Sequence, residues 1–120
     1  MARLRGPQGC PWDREQDHRS LLRFLKEETQ EVVEAVEKED WDNLKEELGD
    51  VLLHVLFHAQ MAEEAGRFSM AEVMGTLKAK LIRRHPHVFG PGKKEKLSSA
   101  EVKRRWQLIK AEERRGKTAA

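Results

Sequence analysis

The sequence predicts an all-α fold on three observations. No stretch alternates apolar and polar residues with period two over a useful length. Spacings of three and four account for nearly all of the apolar positions. Gly, Pro, Ser and Asp fall between the periodic segments, where helix ends need them.

Residues 1–17 hold Gly6-Pro7, Gly9 and Pro11 and read as an irregular N-terminal arm. A first long helix is expected from about Arg19 to Lys38. Asp40-Trp41-Asp42 marks a turn, and Asp40 or Asp42 caps a second helix from about Trp41 to Ala65, with Gly66 as its stop. Ser69 caps a third helix that runs to about Arg84. His85-Pro86 ends it, because a residue before proline is pushed out of the helical region. Gly90-Pro91-Gly92 reads as a loop, and Ser98 or Ser99 opens a fourth helix reaching about Arg114. Residues 18–115 are thus expected to form one four-helix domain, and 116–120 a frayed tail. Leu48 to Ala62 leaves almost no polar face, as in a helix at the centre of a bundle, and three other short helices cannot readily cover it. A bundle completed by homodimerisation is expected, with a compact monomeric bundle as the alternative.

Composition narrows the function classes. Charged residues make up 37% of the chain and hydrophobic residues 38%. No apolar run approaches the roughly 18 residues of a membrane helix, and the first ten residues lack a signal-like apolar stretch, so a cytoplasmic protein without a membrane partner is expected. The single cysteine, Cys10, can form no internal disulfide and reads as an inert structural thiol. The net charge of +2 hides an asymmetry: residues 27–64 hold 13 acidic and 2 basic side chains, residues 93–120 hold 10 basic and 4 acidic. Nucleic-acid binding by the basic segment is not expected, because Glu101, Glu112 and Glu113 interrupt it and no reading helix is evident.

Helical geometry sorts the acidic residues. Glu28 falls in the middle of the stripe made by Leu21, Phe24, Leu25, Val32 and Ala35, and Glu31 lies about 60° to one side. Glu34 and Glu37 lie well away from it and read as solvated charge. On the second helix Glu47 and Asp50 share a face with His54 and Met61. Either pair alone would be an ordinary charged surface, but two inward pairs on consecutive helices would repel each other unless they bind cations or take up protons. An all-oxygen set suits Mg²⁺ or Mn²⁺ better than zinc, which points to phosphoryl-transfer chemistry. A carboxylate and histidine site for iron or manganese is disfavoured, since neither His54 nor His58 stands three residues after a carboxylate of its helix.

The strings Gly9-Cys10-Pro11-Trp12-Asp13, Glu27-Glu28-x-x-Glu31, Glu47-Leu48-Gly49-Asp50, Arg83-Arg84-His85-Pro86-His87-Val88-Phe89 and Arg105-Trp106-x-x-Ile109-Lys110 occur here in one order. In this the chain resembles the MazG family over nearly its whole length. The paired acidic motif alone is shared across the all-α nucleotide pyrophosphatases; the RRHPHVF string and the tryptophan arm narrow the likeness to MazG. The resemblance implies hydrolysis of nucleoside triphosphates, over a broad range of bases, to monophosphate and pyrophosphate. It implies Mg²⁺, or Mn²⁺ in its place, held by Glu28, Glu31, Glu47 and Asp50. For substrate it implies Lys80, with Arg83 and Arg84 as neighbouring candidates for phosphate and Trp106 with Lys110 as a base-binding pair. For both arginines, charge at a helix C-terminus is an equal reading, and core packing is the alternative for Trp106. Trp12 is either an arm anchor or a wall of the site, and Asn43, on the Asp50 face, could read a base or ribose. Glu27 reads as surface charge rather than as a residue that orients water.

Departures from the family pattern are Gln16-Asp17-His18 after the tryptophan arm, and His54 and His58 on the second helix. Relatives with a tandem repeat contrast with the single copy here, which strengthens the expectation of a dimer. Two readings compete with the broad enzyme: a pyrophosphatase narrowed to a pyrimidine deoxynucleotide, and a non-catalytic helical dimer acting as a regulatory or interaction module.

Overall fold

A computed structural model describes residues 1–91 and 96–119, with side chains up to residue 116. Among the described residues there are seven helices and no strand: α1 (Ala2–Arg5), α2 (Pro11–Glu15), α3 (Leu22–Glu37), α4 (Trp41–Glu64), α5 (Met70–Arg84), α6 (Pro86–Phe89) and α7 (Ser99–Ala119). The four long helices expected from the sequence are α3, α4, α5 and α7. The expectation of only four is corrected by α1, α2 and α6, which are too short to show a period. Pro11 and Pro86 each open one of them, since a first helical residue needs no N–H partner. The last long helix continues to Ala119, past the expected end near Arg114.

Helix ends follow local chemistry. Asp17 and Ser20 bond reciprocally, Asp17 N–H to Ser20 Oγ at 2.9 Å and Ser20 N–H to Asp17 Oδ1 at 2.7 Å. That turn delays α3 to Leu22. After α3, Glu39 sits at φ 53° while Asp40 N–H reaches Ala35 O and Glu39 N–H reaches Val36 O. These are the two bonds of a Schellman stop, made with glutamate where glycine is usual. Asp40 then caps α4 by accepting from Asn43 N–H at 3.2 Å. The same stop ends α4, this time with Gly66 at φ 70°. Ser69 and Ser98 each accept the backbone N–H of the glutamate three residues on and donate to its carboxylate. Ser98, rather than Ser99, therefore caps α7.

The chain divides into two compact units, Met1–Val73 and Met74–Ala120. In the first, α3 packs on α4 and α1 on α2. Leu21, Phe57 and Met61 form its buried core, with Met1 and Phe24 packed against it. Burial of a side chain such as Leu21 stabilises by about 2 kcal/mol. The arm is ordered by contacts of its own. Arg5 donates to the Asp13 and Gln16 carbonyls and pairs with Glu64 at 2.9 Å, and Trp12 meets the rings of Phe24 and Phe57 edge-on. At Gly9 a Cβ would stand 2.1 Å from the Leu4 carbonyl oxygen, so this close approach excludes any other residue. Within one chain α4 buries only His54, Phe57, Ala59, Met61 and Ala62. Leu48, Leu52, Leu53, Val55 and Leu56 remain exposed, Leu52 at 54%, so the all-round burial read from the sequence is not met within a single chain. No helix of the described residues is long and apolar enough to cross a membrane.

Candidate metal centre

Antiparallel pairing of α3 with α4 across a three-residue turn brings two i, i+3 carboxylate pairs face to face. One carboxylate oxygen from each of Glu28, Glu31, Glu47 and Asp50 lies within 4.8 Å of the other three. The convergence follows from position: Glu28 and Glu31 sit mid-way along α3, Glu47 and Asp50 near the start of α4's buried half.

The cluster is electrostatically unfinished. Glu28 Oε2 and Glu47 Oε2 are buried with no hydrogen-bond donor. Burial first, and then the charges of Asp50 and Glu31, push the Glu28 carboxyl up. Glu47 is raised to about 7, chiefly through a hydrogen bond shared with Glu31, then through burial and the charges of Glu31, Asp50 and Glu28. Without a cation, proton uptake is how crowded carboxylates relieve their mutual repulsion. A divalent cation serves the same purpose, and the donor set is hard oxygen throughout. The residues present fit such an ion.

The histidines of α4 stand outside this set, since the group of convergent ligand atoms is made of the four acids. His58 Nδ1 lies 2.6 Å from His18 Nδ1 with the two rings stacked, while His54 is buried with its Nδ1 unpartnered. Burial first, and then the neighbouring His18 and His54, lower the His58 pKa. Asn43 lies in the first turn of α4 and its N–H is engaged by Asp40. Trp12 is 49% exposed and packs on Phe24 and Phe57.

The remaining candidates belong to the second unit, and there they gather. Lys80, Arg83 and Arg84 of α5 line a cavity of about 670 Å³ together with Glu113 of α7. Its volume falls in the range of small-molecule sites, about 300–1,000 Å³. Trp106 and Lys110 of α7 line a neighbouring cavity, with the Lys110 ammonium 4.4 Å and the Arg84 guanidinium 5.7 Å from the indole centroid. The half-buried indole has its Nε1 without a partner. Sequence reasoning missed Glu113, which bonds both arginines. It lies 29 and 30 residues from them among mixed charges, and no local spacing could mark it.

The chain has clear relatives among known proteins. A model of the MazG nucleotide pyrophosphohydrolase domain matches residues 16–89, a span that holds all four carboxylates. The chain is 51% identical over 114 residues to the nucleoside triphosphate pyrophosphohydrolase/pyrophosphatase MazG of Thermotoga maritima, covering 95% of this chain and 42% of that protein. It is 50% identical over 115 residues to the nucleoside triphosphate pyrophosphohydrolase of Escherichia coli, covering 95% and 43%. The chain therefore spans about two fifths of the length of these curated relatives. A crystal structure of a mazG-related protein from Thermotoga maritima superposes with a TM-score of 0.72 at 32% identity, over 92% of this chain and 99% of that one. With a matching domain model over more than half of its length, relatives half identical over nearly all of it and a shared helical fold, the chain belongs to the MazG nucleotide pyrophosphohydrolase domain family.

Proposed function

We propose that the protein hydrolyses nucleoside triphosphates to the monophosphate and pyrophosphate, with Mg²⁺ at the carboxylate cluster and Mn²⁺ as a substitute. The observation that carries this is the convergence of Glu28, Glu31, Glu47 and Asp50, two of them with buried oxygens that lack any donor. The activity for which the relatives are named supports the substrate class.

The four carboxylates hold the ion, which when bound supplies charge neutralisation of the triphosphate and activation of water for attack on the α-phosphorus. Glu28 and Glu47 contribute by being held half-buried on paired helices, so that the ligand oxygens are placed before the ion arrives and little reorganisation accompanies binding. Lys80 supplies a point charge to the phosphates and Arg83 and Arg84 supply planar donors. Trp106 offers a π-face, which every base can use, and Lys110 a donor to the base edge. Neither selects one base strongly, which favours a broad range of bases. Asn43 stands as a secondary candidate, a donor to sugar or base, while the packing of Trp12 on Phe24 and Phe57 favours its reading as an anchor of the arm.

The functional unit is a homodimer that covers Leu48, Leu52, Leu53, Val55 and Leu56, an apolar face too extensive to remain in water. Pyrophosphate release from the eight common ribo- and deoxyribonucleoside triphosphates with Mg²⁺ tests the activity. Release from several substrates, reduced at least about 100-fold by Glu28→Gln and by Asp50→Asn in folded protein, is expected. Wild-type protein that releases none from any of the eight would end the broad reading; release from a pyrimidine deoxynucleotide alone would replace it with the narrow one.

A further inference from the structure

Arg83 and Arg84 are consecutive at the end of α5, so their side chains leave the helix about 100° apart and two guanidiniums drawn to one acceptor repel each other. Both nevertheless reach the same carboxylate. Glu113 Oε1 accepts from Arg83 Nε at 2.6 Å and from Arg84 Nε at 3.4 Å, and Glu113 Oε2 accepts from Arg84 Nη2 at 2.9 Å. The side chains of Glu113 and Arg84 each keep only 18% of their surface exposed, whereas Arg83 keeps 47%. The two guanidiniums, Arg84 first, hold the Glu113 carboxyl down at about 2, so it stays ionised at any pH at which the protein works.

Which donors Glu113 takes is informative. It engages the Nε of each arginine and one Nη of Arg84. A guanidinium carries five N–H donors, so each keeps several after this pairing. Arg84 is further fixed by its position over Trp106. A carboxylate in a cavity meant for phosphate would repel it, and this one is offset by two cations with Lys80 beside them.

We propose that Glu113 is a positioning residue for phosphate binding: it holds Arg83 and Arg84 together by their Nε edges, so that their remaining donors act as one anion-binding pair. The proposal rests on the assignment of these two arginines to phosphate. Without the clamp they separate, and a triphosphate must order two long side chains on binding.

Binding of inorganic tripolyphosphate with Mg²⁺ to the full chain, measured by calorimetry, tests this independently of turnover and of base identity. Arg84→Ala and Glu113→Gln are each expected to weaken binding about tenfold, the equivalent of one charge-assisted hydrogen bond. The double variant is expected to be no weaker than Arg84→Ala, because both changes remove the same pair. Additive losses would show that Glu113 acts on binding independently of Arg84, and would overturn the proposal. Wild-type affinity in Glu113→Gln with weakened Arg84→Ala would overturn it too, leaving the arginines as phosphate ligands. Wild-type affinity in both Arg83→Ala and Arg84→Ala would remove the phosphate assignment itself, a separate result from loss of the metal centre in Asp50→Asn. Should Glu113→Gln lose helicity, Glu113→Asp carries the comparison; it keeps the charge on a shorter arm and is expected to bind between wild type and Arg84→Ala.

Discussion

At the scale of single residues the chain is dominated by carboxylates that need partners. Glu47, raised from 4.5 to about 7, gives a pH dependence whose sign can be worked out. Between those values the folded protein binds more protons than the unfolded chain, so the stability of the metal-free protein falls as pH rises. The fall begins near pH 4.5 and is complete above about 7, and raised Glu28 adds to it in the same direction. Thermal melts from pH 5 to 8 without Mg²⁺ are expected to show this decline, and Glu47→Gln to remove most of it. Added Mg²⁺ is expected to raise the melting temperature more at pH 8 than at pH 5, because protons then compete less for the ligand oxygens. The lowered His58 pKa acts in the opposite sense up to about pH 6.5, so the difference between wild type and Glu47→Gln isolates the carboxylate, and identical profiles for the two would contradict the geometry of the cluster. The convergence of the four acids was legible because helical period puts Glu28 on the apolar stripe of α3 with Glu31 beside it and puts Glu47 and Asp50 on one face of α4, although Glu31 stays exposed. Glu113 was not, because a partner some thirty residues away leaves no periodic trace.

At the scale of elements, the helix ends show which local signals decide. Capping serines and aspartates were readable because a cap acts within three residues: Asp40, Ser69 and Ser98 all bond the backbone N–H three positions on. The four- and five-residue helices α1, α2 and α6 were not, since Gly9 and the prolines mark a turn without saying whether its flanks coil. Glu39 presents a further test. Its φ of 53° suits glycine, and its side chain is exposed, so Glu39→Gly is expected to stabilise the protein by about 0.5–1 kcal/mol in denaturant melts. Gly66→Ala, at φ 70°, is expected to cost about 1 kcal/mol. If both changes left stability alone, the two Schellman stops would not govern where α3 and α4 end.

At the scale of the whole molecule, the mismatch is between how α4 reads and how it sits. Leu48 to Ala62 reads as a helix covered on all sides, yet one chain leaves Leu48 and Leu52 more than half exposed. A single sequence records that a surface is apolar but not which chain covers it. Leu52→Lys is therefore expected to shift sedimentation from dimer to monomer at micromolar concentration, with the α3 and α4 helices retained by circular dichroism. Wild-type protein that sediments as a monomer would leave the apolar face to some other partner. The N-terminal arm carries a last consequence, one of timing. Arg5 reaches Glu64 across 59 residues of sequence, while α3 and α4 meet through a turn of three. So distant a contact is expected to close after the hairpin has formed and to contribute little to the folding transition state. Removing it with Arg5→Ala is expected to leave the refolding rate unchanged and to quicken unfolding, which makes this ion pair a determinant of how long the folded chain lasts rather than of how fast it is made.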